Sequence, residues 1–263
     1  MDLILSNDLL AAAANGYAEV VELILDEPGI NVDVTDKDGN SALVLAATGG
    51  HVEVVDLLLE KDADVNFLGL DNISPIRAAL VGGHTEVAEL LLRSPSFDID
   101  SCGWTPLNSA ASQGFVRVVR LLLDEGAKLD EKDKDDSTPL YLASTNGHAK
   151  VVKRLIGAAR SQGAGGGSKT IPSLEIASGG GLTPLIAAAT EGHSQVVRLL
   201  LDAGADLDAI GKDNETALKG AIKNGHADVI KLLYEKLKAN RKQTVKPVLT
   251  PSPEGGAGEQ KKE

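Results

Sequence analysis

The sequence predicts an all-α solenoid of about seven helix-turn-helix units joined by β-turn or hairpin fingers. Three observations carry this reading: a block of about 33 residues recurs along the chain, each block holds two short stretches of helical apolar spacing, and aromatic residues make up only 3% of the total. With so few rings, burial must come from Ala, Val, Leu and Ile packed closely, which suits short helices in tight contact. At 263 residues and 43% hydrophobic content the chain can bury a sizeable core.

The repeat is read by aligning Leu43, Ile76, Leu107, Leu140, Leu185 and Leu218, whose successive intervals are 33, 31, 33, 45 and 33 residues. Leu9, Ala12, Ala13, Gly16, Tyr17, Val20 and Val21 fit as a degenerate first copy. Each unit opens on a Ser or Thr (Ser41, Ser74, Thr105, Thr138, Thr183, Thr216) placed to accept a backbone N–H at a helix start, and Pro75, Pro106, Pro139 and Pro184 follow at the first helical position. Two residues earlier stand Gly39, Asn72, Gly103, Asp136, Gly181 and Asn214, types that tolerate a left-handed turn. Small pairs such as Ala46-Ala47 and Ala188-Ala189 let a neighbouring helix approach, and the helix stops at glycine. The second helix then carries a stripe such as Val54, Val55, Leu57 and Leu58. Helices this short are marginal alone, so stability must come from stacking successive copies.

The residues Gly103-Trp104-Thr105-Pro106-Leu107, Ala110-Ala111, Gly114, Val118-Val119, Leu121-Leu122 and Gly126-Ala127 resemble one ankyrin repeat. Gly192-His193, Leu199-Leu200-Leu201 and Gly204-Ala205-Asp206 repeat the likeness, which covers about residues 1–240. The expected organisation is an ankyrin-repeat domain over 1–240, with units at about 1–35, 36–68, 69–100, 101–132, 133–177, 178–210 and 211–240. The fifth unit holds a flexible Gly-rich insertion, and 241–263, rich in Pro, Gly and Lys, is expected to be a disordered tail. The sequence departs from the family where histidine often follows Thr-Pro-Leu, with Val44, Arg77, Asn108, Tyr141, Ile186 and Lys219 in that place. The usual Thr-to-His link is therefore expected to be absent. Arg154 replaces a leucine in the fifth unit and the insertion begins just after Ile156, so a local weakness is expected there.

Several function classes are disfavoured. The net charge of −12 argues against a general nucleic-acid binder. The charge is uneven: Lys236 to Glu263 holds seven Lys or Arg against three Glu, leaving about −16 on the body. No run approaches the roughly 20 apolar residues of a membrane helix. The opening Met1-Asp2-Leu3-Ile4-Leu5 carries no basic leader and is read as helix. The single cysteine, Cys102, excludes an internal disulfide, and Asp98 and Asp100 beside it disfavour a reactive thiolate. A cytoplasmic location is expected, with the nucleus open to it.

His51, His84, His148, His193 and His226 all occupy one repeat position, held by Tyr17 and Phe115 in the other two units. The stack would space them roughly 10 Å apart, too far to share a metal. The resemblance implies that they tie neighbouring loops together. Gly163-Ala164-Gly165-Gly166-Gly167-Ser168-Lys169-Thr170 approaches the phosphate-binding pattern G-x-x-x-x-G-K-[ST], but Ser168 stands at the last glycine and Ile171-Pro172 opposes the helix that should follow. A nucleotide-dependent enzyme using Lys169 and Thr170 is thus the alternative reading, and a linker the plainer one. Neither catalysis, a metal nor a cofactor is expected.

A repeat stack offers a long rigid surface with different residues at equivalent positions, and binding another protein is its natural use. The resemblance implies contacts from the turn tips and the exposed side of each first helix, which together line a concave face; a monomeric chain is expected. Most tips present solvated residues such as Lys37, Asp38 and Asn40. The middle units instead offer Leu70, Ile73 and Trp104, with Arg77, Asn108 and Tyr141 projecting from the first helices nearby. These six are the expected partner-binding residues, since exposed Trp, Tyr and Arg dominate interface energetics.

Overall fold

Fourteen α-helices form among the residues that the computed structural model describes, which are 2–69, 72–102, 104–162 and 174–244. The first helix of each unit gives an inner row: α1 (Asp2–Asn15), α3 (Ala42–Gly49), α5 (Pro75–Gly82), α7 (Pro106–Gln113), α9 (Pro139–Thr145), α11 (Pro184–Thr190) and α13 (Ala217–Lys223). The second gives an outer row: α2 (Ala18–Leu25), α4 (Val52–Glu60), α6 (Thr85–Leu92), α8 (Val116–Asp124), α10 (Ala149–Gln162), α12 (Ser194–Ala203) and α14 (Ala227–Thr244). Each helix packs on its hairpin partner and on its equivalents in the adjoining units, which is the expected solenoid. Among the described residues the only β pairing recorded is an isolated bridge between Thr35 and Ser41.

Local chemistry sets the helix starts. The hydroxyls of Ser41, Ser74, Thr138, Thr183 and Thr216 accept from the backbone N–H three residues on, at 3.2–3.4 Å. Each such cap stabilises its helix by about 1 kcal/mol. Thr105 breaks the series: its backbone sits at φ −101°, ψ 86°, away from extended geometry, and its side chain caps nothing. The finger turns are left-handed at Gly39, Asn72, Asp136, Gly181 and Asn214, as the sequence requires, while Gly103 lies outside the described residues. Within the second finger Asp36 Oδ1 accepts from the N–H groups of Asp38 and Asn40 at 2.9 and 2.8 Å, closing a compact turn. Desolvation works to raise the pKa of Asp36, but the Asn40 backbone N–H, the Asn40 amide and the Asp38 N–H outweigh it and hold the carboxyl below its ordinary range.

The core runs the length of the stack. Leu43, Ile76, Leu107, Leu140 and Leu185 are buried on the inner row beside fully buried alanines such as Ala47, Ala79, Ala111 and Ala189. The outer stripe is buried at Val54, Val55 and Leu58 and again at Val151, Val152 and Leu155. Leu57 itself is only half-buried, and Arg154 takes the matching place on α10 with its side chain exposed. The leucine replaced there was never a core residue, so the expected weakness does not arise from it. Nor does the insertion begin after Ile156: that residue is buried and α10 continues to Gln162. The chain is described again from Leu174, which is buried, and α9 packs on α11 and α10 on α12 across the insertion. At the other end α14 runs to Thr244, past the expected start of the tail at 241. The Gly-rich segment 163–170 and the remainder of the tail lie outside the described residues.

Candidate interaction surface

The histidines are structural ties. His51, His84, His148, His193 and His226 each place Nε2 2.8–3.1 Å from a carbonyl of the preceding unit, those of Ala14, Thr48, Ser112, Thr145 and Thr190. The ring lies flat against that unit's glycine: a Cβ on Gly192 would stand 2.5 Å from His226 Nδ1. Among the described residues no group of three or more His, Cys, Asp or Glu could hold a metal ion.

One junction lacks this tie. Phe115 replaces the histidine of the fourth unit, and Gly83 opposite it has open space where Gly16, Gly50, Gly114, Gly147 and Gly192 each meet a ring. A side-chain amide substitutes, since Gln113 Nε2 donates to Leu80 O. The inner helices on either side, α5 and α7, pack less extensively than α3 on α5 or α7 on α9. Uncapped Thr105 begins the helix at this same junction.

Beside it the structure gathers three of the six expected partner-binding residues. Arg77, Trp104 and Asn108 line one cavity of about 630 Å3 between the fourth and fifth fingers. The Arg77 guanidinium lies over the Trp104 ring, 5.7 Å from its centre, and donates to Asn72 O at 3.3 Å. At that separation cation and ring attract one another. Trp104 is half-buried against the core rather than an exposed tip, and its indole Nε1 is withdrawn from water with no hydrogen-bond partner among the described residues.

Asn108 does not project from its helix as expected. It is 2% exposed, and its Nδ2 donates to Ser137 O at 2.8 Å and to Glu131 O at 3.3 Å. The amide reaches forward to hold the next finger, so the position after Thr-Pro-Leu carries a structural link here even without histidine. Ile73 and Tyr141 are half-buried, Tyr141 outside the cavity, and Leu70 falls outside the described residues. Ile99, Ala127 and Lys128 also line the cavity, and the sequence did not single them out as binding residues. They come from finger segments whose meeting depends on how successive units stack.

A family model of ankyrin repeats matches the chain in three copies, over residues 9–101, 76–164 and 167–244. Rabankyrin-5 of Mus musculus is 39% identical over 54 residues, 20% of this chain and 5% of that protein. The ankyrin repeat domain-containing protein oryK of Aspergillus oryzae is 35% identical over 72 residues, 27% of this chain and 11% of its own length. The chain thus spans only a small part of these relatives. A crystal structure of the human ASB11 ankyrin repeat domain superposes with a TM-score of 0.69 at 27% identity, covering 86% of this chain and 96% of that one.

Proposed function

The chain belongs to the ankyrin-repeat family, whose repeats generally mediate protein–protein contacts, and from that premise we propose that it is a protein-binding scaffold or adaptor. The partner sits on the fingers and the inner helix row of the third to fifth units, with Ile73, Arg77, Trp104 and Tyr141 in the contact. A cytoplasmic monomer is the form we propose. The observation that carries the placement is the cavity beside Arg77 and Trp104, which joins an aromatic ring and a stacked guanidinium on the finger side of the stack. Such features favour specific contact over idle surface. The nucleotide-dependent alternative at 163–170 gains nothing from the fold or its relatives.

Site-specific crosslinking in native lysate tests this. A photo-crosslinker at Tyr141 on the inner row should capture a discrete protein partner, and one at Arg120, exposed on outer helix α8, should not. Capture from Arg120 alone would move the interface to the outer row and overturn the placement.

A further inference from the structure

A repeat stack ordinarily closes on terminal units whose outer faces are polar, since no further unit covers them. Both end faces described here are apolar. Val20 on α2 is 42% exposed, whereas the matching valines of the six later units, Val54, Val87, Val118, Val151, Val196 and Val229, are all buried. Tyr17 and Leu23 are exposed beside it, and with Asp8, Ala11 and Asn15 they line a groove of about 410 Å3 between α1 and α2. At the far end Ile222 on α13 is 58% exposed, whereas Leu80, of similar bulk and at the same place in the third unit, is fully buried. Tyr234 on α14 is exposed where Leu92, Ile156 and Leu201 of earlier units are buried.

Each of these side chains holds the same place in its unit as its buried counterparts, so what shields the interior ones is the adjoining unit. The first unit therefore presents the face that a unit offers to its predecessor, and the seventh the face that a unit offers to its successor. Together they are the two halves of an interior junction. An aromatic at the histidine place fits such a junction, since Phe115 is half-buried at the fourth unit.

Charge selects how copies of the chain would meet. Residues 1–35 hold seven Asp or Glu and no Lys or Arg, and residues 211–240 hold six Lys against four Asp or Glu. Asp8 lines the groove itself, and Lys223 adjoins Ile222. Two first units face to face would set like charge against like, as would two last units, whereas first against last brings opposite charges together.

We propose that the first unit of one copy docks on the last unit of a second copy, head to tail, so that the stack continues from chain to chain. Such a contact is heterologous. Every added copy leaves one free face of each kind, and assembly is open-ended rather than closed at a dimer. The monomer proposed above is then the dilute form. The contact uses only the end units and leaves the third to fifth fingers free, so it goes beyond the protein-binding reading and does not depend on it.

Sedimentation of the full chain over a concentration series up to about 1 mM tests this. The weight-average mass should rise continuously from that of one chain. Val20→Arg places a cation on the first face against the basic last one, and Ile222→Glu places an anion on the last face against the acidic first one. Each should weaken self-association by about tenfold or more. Mixed in equal amounts the two variants should form a one-to-one dimer and nothing larger, because one keeps a sound last unit and the other a sound first unit. The altered positions lie on different helix rows, so they do not face one another at the two spent ends. A urea midpoint near that of the parent shows that each variant is folded. Should either unfold, Tyr17→Arg and Tyr234→Glu, at side chains more than half exposed, repeat the mixing. A parent chain that stays monomeric throughout, a mass that levels off at a dimer, or a mixture of folded variants no heavier than its parts would overturn the proposal.

Discussion

A methyl group on Gly192 and the same methyl on Gly225 would meet different surroundings. Both glycines have left-handed backbones, at φ +83° and +73°, so an alanine at either costs about 1–2 kcal/mol in backbone strain. At Gly192 the methyl also strikes the His226 ring, whose Nε2 lies 2.8 Å from Thr190 O, whereas at Gly225 nothing stands within 4 Å. Gly192→Ala should therefore destabilise the protein by about 1 kcal/mol more than Gly225→Ala, through loss of that bond. Urea unfolding of the two variants checks this, and equal losses would show that the ring moves aside freely. Asp36 makes a second residue-scale case. Its pKa is lowered in the fold, because the Asn40 and Asp38 donors outweigh desolvation. A group so shifted stabilises the fold fully above its unfolded pKa and loses that contribution as pH falls through the folded value. Asp36→Ala should thus cost stability at about pH 6 and progressively less below about pH 4, where the parent carboxyl protonates as well. A destabilisation that stayed constant down to the acid limit would mean that the charged form of Asp36 contributes nothing to the finger.

At the scale of helices and their junctions, the missing tie at Phe115 can be restored. The other histidines reach the carbonyl two residues before the preceding unit's glycine, as His148 reaches Ser112 O beside Gly114. The matching acceptor at this junction is Val81 O beside Gly83, where the space is open. Phe115→His should therefore gain a hydrogen bond and raise stability by about 1 kcal/mol, read as a higher urea midpoint. An unchanged or lower midpoint would show that Phe115 packing or the Gln113 amide already supplies what the histidine would add. The helices themselves were legible in the sequence, because caps, prolines and closing glycines act within three or four residues of where they stand. What escaped is nonlocal. Thr105 has the right side chain, but its backbone at φ −101°, ψ 86° departs from the extended geometry of the other caps. Asn108 reads as a projecting residue in sequence because its partners are carbonyls 23 and 29 positions further on. Arg154 reads as a weakness by residue type, but at its place only the face of the helix decides burial, and that face is exposed. The cavity was legible only as a cluster of interface-prone residues, since its walls come together only when every neighbour is in place.

For the whole molecule, stability is a sum of unit terms and nearest-neighbour interface terms, so the stack parts first where an interface term is smallest. Three observations place that minimum between the third and fourth units. The histidine tie is absent at Phe115, α5 and α7 pack less extensively than the neighbouring inner pairs on either side, and the cap of α7 is unmade at Thr105. The insertion in the fifth unit is not the weak point, because α9 with α11 and α10 with α12 remain packed across it. At intermediate urea, hydrogen exchange should therefore show α1–α6 and α7–α14 exchanging as two cooperative groups rather than one. Phe115→His adds its bond across that boundary and should draw the two groups together, while leaving exchange within each nearly unchanged. A division at the insertion instead, with α1–α10 exchanging apart from α11–α14, would show that the long excursion of the chain controls coupling and that the missing tie does not.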